Sequence, residues 1–298
     1  MNKPESAAPL SRLDAHQHYW RVARGDYRWL RADDAALEPI HRDFGPADLA
    51  PLRAAQGIGT TVLVQAADSS AETDFLLDLA AHEASVGAVV GWVDLADEAS
   101  VATLERWGAT APALRSLRPM LQDLPEHDWI LQAPKPAVLA AMLHLGLRFD
   151  ALVKPWHLEA LLGFVRRHPA LPVVIDHAAK PQLREGWSAP WAEAWRRGLA
   201  ALAREPQVLC KFSGLLTEAG PTGSVDEGVA ALRPVWETLL EHFGPQRLMW
   251  GSDWPVLTLA APYERWVAVA EALIGELPPA QQQAVWRDNA QRFYGISA

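Results

Sequence analysis

The stretch LDAHQHYW, residues 13–20, decides the fold, because it sets two imidazoles, His16 and His18, at the end of a short apolar run. Alternate side chains of a β-strand share a face, so both rings point the same way. Two later runs finish in the same manner: VVIDHAAKP, residues 173–181, passes through His177, and LMWGSDWPV, residues 248–256, reaches Asp253. Ionisable groups are costly in an apolar core, whereas a (β/α)8 barrel carries its functional residues at the carboxyl ends of its strands. The three runs are therefore read as staves of one barrel whose ends converge.

Working outward, β-rich runs recur at residues 13–18, 60–65, 87–93, 114–120, 147–153, 172–177, 208–213 and 247–252. Eight is the barrel number, and an open doubly wound sheet would not gather the polar residues at one mouth. Between the runs lie stretches with apolar residues three and four apart, at 71–83, 136–144, 158–168, 189–204 and 228–242, which predict an outer ring of helices. Residues 21–49 hold Trp29, Pro39 and Pro46 without a period and predict a long loop over the barrel mouth. A second loop, mobile in character, is expected at 220–228. The whole chain, 1–298, is read as one α/β domain.

Composition narrows the partners. Half the residues are hydrophobic, enough to bury a large core, and the net charge of -9 comes without a run of Lys and Arg to neutralise phosphates. Nucleic acid is excluded as a partner. No apolar run is long enough for a spanning helix, residues 1–10 lack the apolar stretch of a signal peptide, and the single Cys210 cannot form an internal disulfide. A cytoplasmic enzyme acting on a small molecule is expected; nothing in the sequence assigns an oligomeric state.

Three imidazoles and one carboxylate suit a divalent ion of the zinc type with a position left for water, and the same groups can act as acid and base without metal. Arg118, Lys154, Lys180 and Lys211 are candidate cations for a developing oxyanion, with Arg118 and Lys154 foremost by their places at strand ends. Trp20, Trp29, Trp156 and Trp254 are candidates to wall a substrate pocket, and His157, following the fifth strand, to face it. The other six histidines fall in helical or loop stretches without a partner at ligand spacing, and are read as structural.

Taken together, DAHQHYW, LVKPWHL, VVIDHAAKP, CKFSGLLTE, RLMWGSDWPV and RDNAQRFYGI resemble the amidohydrolase superfamily over nearly the whole chain, in the branch that holds L-rhamnono- and L-fuconolactone hydrolases. The resemblance implies a distorted (β/α)8 barrel, hydrolysis of a cyclic ester, and a site using His16, His18, His177 and Asp253. Superfamily members with two metals carry a bridging Lys or Glu after the fourth strand and a His after the fifth. Here those strands read LRSLRPM and LRFDALVK, so at most one divalent ion, zinc by ligand preference, is expected. Some relatives in this branch work without metal, which keeps metal-independent catalysis open.

In the expected reaction Asp253 takes a proton from water and returns it to the leaving oxygen. A single Arg at the strand ends favours a neutral polyhydroxy lactone over a pyrone dicarboxylate. The rival readings are a metal-dependent decarboxylase or another hydrolase on this scaffold, and a non-catalytic barrel that keeps the motif.

Overall fold

The computed structural model describes residues 12–297; the reading of residues 1–10 lies outside them. Its strands are β1 (Arg12–Gln17), β2 (Ile58–Val64), β3 (Val86–Gly91), β4 (Leu114–Leu117), β5 (Arg148–Ala151), β6 (Val173–Ile175), β7 (Val208–Phe212) and β8 (Leu248–Trp250). All seven ladders are parallel and the order follows the sequence from β1 to β8, as a distorted (β/α)8 barrel requires. All eight predicted strands form, most of them shorter than their apolar runs because the chain leaves the ladder before it delivers its polar residue.

Alternation sorts the side chains into two layers. Along VLCKF of β7, Val208, Cys210 and Phe212 face outward, where Phe212 packs 4.9 Å from Trp236 and 5.1 Å from Trp266 on the surrounding helices. Lys211, between them, faces in. The interior is filled at its lower end by Leu13, Ala15, Val62, Val64, Ala88, Val90, Val174 and Met249, against which Phe293 and Tyr294 of the C-terminal helix are stacked like a plug. Asn289 anchors that helix by donating to the carbonyls of Pro245 and Leu248 at 2.7 and 2.6 Å.

A long helix follows every strand, and three of these lay outside the predicted set: Pro46–Ala55, Ser100–Thr110 and Tyr263–Ile274. The first shortens the expected 21–49 loop. Pro46 fixes the first helical position and the Asp48 carboxylate accepts the Gly45 N–H at 2.9 Å, so the loop ends at Gly45. Within it are two 3-10 turns, Val22–Arg24 and Glu38–Ile40. The loop expected at 220–228 is likewise halved, since Ser224 caps the helix Val225–Phe243 by accepting the Glu227 N–H. No helix among the described residues is long and apolar enough to cross a membrane.

The ring closes between β8 and β1 without a continuous ladder. Instead the Asp253 N–H donates to the His16 carbonyl and the His18 N–H to that of Trp254, each at 2.7 Å. Asp14 staples the seam from outside, its carboxylate accepting the Ser252 N–H at 2.8 Å and the Tyr263 O–H at 3.0 Å. The two strands approach so closely that a Cβ on Gly251 would lie 2.8 Å from the His16 Cβ and 2.9 Å from its backbone nitrogen. Gly251→Ala is therefore expected to lower stability by about 1–3 kcal/mol, the usual cost of overpacking, and to weaken activity because the displaced atoms carry His16. Urea unfolding checks the first; an unshifted midpoint would mean the seam can open at no cost.

Candidate active site

Strict alternation along β1 would send His16 and His18 outward. Leu13 and Ala15 face the interior and Asp14 faces the outer helices, so a regular strand would put residues 16 and 18 in phase with Asp14. The β1–β2 register shifts here, Asp14 pairing with Thr61 and Gln17 with Leu63, so one extra residue is accommodated in β1. This bulge re-aims the strand and turns the HxH pair inward, while Gln17 reaches Thr61 on the outside.

His177 and Asp253 arrive by unusual backbone. The four residues from His177 to Lys180 all have positive φ, between 48° and 59°, forming a left-handed turn directly after β6; Asp253 has φ 60°. L-residues pay roughly 1–2 kcal/mol each for this conformation, and such strain persists where surrounding contacts over-determine it. Here Trp195 donates to the Ala178 carbonyl at 2.6 Å and the Lys180 N–H to that of His177 at 2.8 Å. Gly214 leaves the space that the two functional side chains fill. A Cβ there would sit 2.4 Å from His177 Nδ1 and 3.0 Å from Asp253 Oδ2.

The three rings surround one carboxylate oxygen. The Nε2 atoms of His18, His16 and His177 lie 3.2, 3.7 and 3.7 Å from Asp253 Oδ1. His18 donates from Nδ1 to the Val64 carbonyl at 2.8 Å, so in the neutral ring its Nε2 presents a lone pair to a carboxylate oxygen. Two acceptors that close need a cation between them, a proton or a metal ion. Neighbouring ligands of a tetrahedral ion bound at roughly 2.1 Å stand roughly 3.4 Å apart, and the ligand atoms of His16, His18 and Asp253 gather within 4.8 Å of one another as a candidate divalent-ion site, with His177 meeting the same carboxylate oxygen from outside that group. The alternative grouping of His16, His177 and Asp176 is a poorer host, because Asp176 already serves Lys211 and Arg118.

Burial sets the protonation states. It lowers the His177 imidazole to about 4 against the upward pull of Asp253 and Asp176, and lowers His16 well below its ordinary value with Lys211 reinforcing the effect. Burial alone would raise Asp253, but His177, His18 and His16 outweigh it and hold the carboxyl well below the usual range. At neutral pH the site holds the Asp253 carboxylate beside the neutral rings of His16 and His177.

Under the rings lies a polar layer. Lys211 Nζ is 2.6 Å from Asp150 Oδ2, 3.0 Å from Asp176 Oδ1 and 3.1 Å from His16 Nδ1, and all four residues are fully buried. Ser116 and Tyr294 donate to Asp150 from either side at 2.5 and 2.7 Å. Lys211 thus supports His16 from beneath and does not face the cavity. Arg118 does reach the cavity, yet its terminal nitrogens serve Gln65, Asp176 and His16, and its Nε is buried with no protein acceptor.

Above the rings a cavity of about 250 Å3 is lined by His18, Arg118, Gln122, His177, Lys180 and Asp253 on its polar side and by Trp29, Leu37, Met120, Leu152, Val256 and Leu259 among its apolar walls. Trp29 and Leu37 come from the loop after β1. Trp29 is held by donating to the Ala66 carbonyl at 2.6 Å, and the Ala66 and Ala67 N–H groups are in turn bound by buried Glu72. Burial pushes the Glu72 carboxyl up to about 8 against those N–H donors.

Among the residues singled out from sequence, His16, His18, His177, Asp253, Arg118, Lys180 and Trp29 are brought together. The others lie elsewhere. Lys154 sits with its ammonium 5.4 Å from the Trp156 ring, itself 41% exposed, so both belong to the rim. His157 is buried and accepts the Lys154 N–H at Nδ1. Trp20 turns from the cavity to donate to the Arg42 carbonyl and packs on Trp29, so it backs the wall; Trp254 packs on Phe44 and Tyr19. Asp14, Glu72, Asp150, Asp176 and Gly214 went unread, although Asp150 and Asp176 carry the same signal as Asp253, a carboxylate in an apolar run.

Comparison with known proteins agrees with this geometry. The amidohydrolase family model matches residues 13–296. The chain is 44% identical over 292 residues to an L-fucono-1,5-lactonase of Burkholderia ambifaria, covering 96% of both proteins. It is 38% identical over 289 residues to an L-fucono-1,5-lactonase of Burkholderia multivorans, again covering 96% of both. The crystal structure of an amidohydrolase from Burkholderia multivorans with bound zinc superposes with a TM-score of 0.86 at 36% identity, covering 96% of this chain and all of the other.

Two outcomes are expected. Gly214→Ala reduces turnover by at least ~100-fold, the scale on which a misplaced catalytic group is felt, with little change in the far-ultraviolet spectrum; near-normal turnover would show that His177 has room to move. Glu72 has its folded value raised above the ordinary 4.5, so its contribution to stability is full in acid and is lost as pH rises toward 8. The melting temperature of Glu72→Gln should therefore gain on the parent protein steadily between pH 5 and 8, and a constant difference would refute the assignment.

Proposed function

Because the chain belongs to the amidohydrolase family, we propose that it is a lactonase that opens a sugar 1,5-lactone of the L-fucono type to the sugar acid, with Asp253 as the proton-transferring group. The observation that carries this reading is the Asp253 carboxylate, kept ionised within a nest of three imidazoles at the floor of a cavity sized for one small molecule. Two relatives, 44% and 38% identical over nearly the whole chain, are L-fucono-1,5-lactonases, which supports this reading.

A divalent ion, zinc by the preference of three imidazoles and one carboxylate, would supply a Lewis acid that makes water acidic near neutral pH. The chain's own residues do the rest. Oδ1 of Asp253 is the atom the rings approach, which leaves Oδ2 to accept the proton of the attacking water and return it to the ring oxygen as the lactone C–O bond breaks. Neutral His177, its Nδ1 2.9 Å from Ser213 Oγ, keeps its orientation without competing for that proton. Trp29 and Leu37, carried on the loop, cover the sugar and exclude bulk water. The pocket presents two cations, Arg118 and Lys180, and no cluster of Arg, which suits a neutral polyhydroxy substrate better than a dicarboxylate.

The test is acid release from a panel of aldonolactones, followed with a pH indicator. L-Fucono-1,5-lactone should be opened well above its spontaneous rate, and Asp253→Asn should lose at least ~100-fold of that rate. Chelation should lower the rate and zinc restore it. Full activity after exhaustive chelation would mean the imidazole nest works without metal, and absence of any lactone turnover would overturn the reading.

A further inference from the structure

Opening a lactone needs a donor at the carbonyl oxygen, and the cations placed around the site differ in their freedom to act as one. Lys211 is fully buried and held by Asp150, Asp176 and His16 Nδ1. Arg118 lines the cavity, but both terminal nitrogens are engaged by protein atoms and its Nε has no accessible surface. Lys154 faces the Trp156 ring at the rim. Lys180 is different. It lines the cavity beside His177 and Asp253, its side chain keeps 23% of its accessibility, and among the described residues its ammonium donates no hydrogen bond. Its one ion-pair partner there is Glu218, at 3.7 Å, a distance that steadies a charge without using its protons.

The backbone gives a second, independent reason. A left-handed turn of four consecutive non-glycine residues is rare and strained, and this one runs from His177 to Lys180. A right-handed or extended exit from β6 would carry Lys180 away along the next connection. The turn folds it back over the strand end, so that one short segment presents an imidazole and an ammonium to the same cavity.

We propose that Lys180 is a catalytic residue that donates from Nζ to the lactone carbonyl oxygen; this rests on the lactonase reading above. As the oxygen of water bonds to the carbonyl carbon, its proton passes to Asp253 and the carbonyl π pair moves onto the oxygen that faces Lys180. On collapse the carbonyl re-forms, the ring C–O bond breaks, and the alkoxide takes the proton from Asp253. Lys180 keeps its own protons throughout and stabilises the charge that appears only between these events, so its loss should fall on kcat rather than KM.

The experiment compares the full-length protein with Lys180→Met and Lys180→Cys on the lactone opened fastest by the parent, with thermal unfolding to verify that each variant is folded. Removing one oxyanion donor costs about 100- to 1,000-fold in kcat in comparable sites, and that range is expected for both variants with KM changed less than about threefold. Aminoethylation of Lys180→Cys rebuilds an ammonium one atom different from lysine and should restore at least ~10-fold of the loss. Cys210 is fully buried, so the parent protein treated in the same way is the control. A kcat within threefold of the parent in Lys180→Met, a change confined to KM, or no recovery on aminoethylation would overturn the assignment while leaving the lactonase reading intact. A parent protein that opens no lactone would overturn both.

Discussion

The closeness of β8 to β1 is the constraint on which the site depends. Seven ladders could form around an empty interior, but the eighth contact has to bring Asp253 against His16, and backbone hydrogen bonds from Asp253 and His18 make it do so. Three sequence features permit that approach: no side chain at Gly251, a carboxylate at Asp14 that replaces missing ladder partners, and the bulge that re-phases β1. Asp14 is itself buried and pushed up to about 6. The staple costs something at neutral pH, and it is kept where the ring would otherwise have an open edge.

A second tension runs through the barrel interior. Two carboxylates and one ammonium are withdrawn from water just beneath the three rings, an arrangement that rarely adds net stability over apolar packing. Its effect is orientation. Burial would raise Asp176, but Lys211, His16 and Arg118 together outweigh it and hold the carboxyl well below its ordinary range, while Asp150 is shifted up by burial and shared among Lys211, Ser116 and Tyr294. His16 is thereby left with a fixed neighbour on its Nδ1 side and its Nε2 turned to Asp253. Rigidity of this kind suits a group that must hold position while a proton passes nearby.

The sequence was most legible where period and end-residue agreed. Eight apolar runs and the ionisable residues at three of their ends led to the barrel and to His16, His18, His177 and Asp253. The alternation argument for the HxH pair was correct about a shared face, but which face depended on the extra residue in β1, and a bulge in a parallel pair leaves no local signature in LDAHQHYW. Lys154, Trp156 and His157 follow a strand as closely as Lys180 follows another, and only the handedness of the connection separates the rim from the cavity. By contrast, the helices at Pro46 and Val225 were readable: G-P-x-D and S-x-x-E are capping patterns, and weighing loop composition above them hid both starts.

The plug formed by Phe293 and Tyr294 bears on how the molecule is assembled during translation. The apolar floor of the barrel and one of the donors to Asp150 come from residues synthesised after every strand. Until they leave the ribosome, the interior faces of β1, β2 and β3 have no floor to pack on, and the ammonium and carboxylates above them stay open to water from below. The eight strands can pair progressively as they emerge, but the ring closes only with β8, and its interior is sealed from below only by residues that follow every strand.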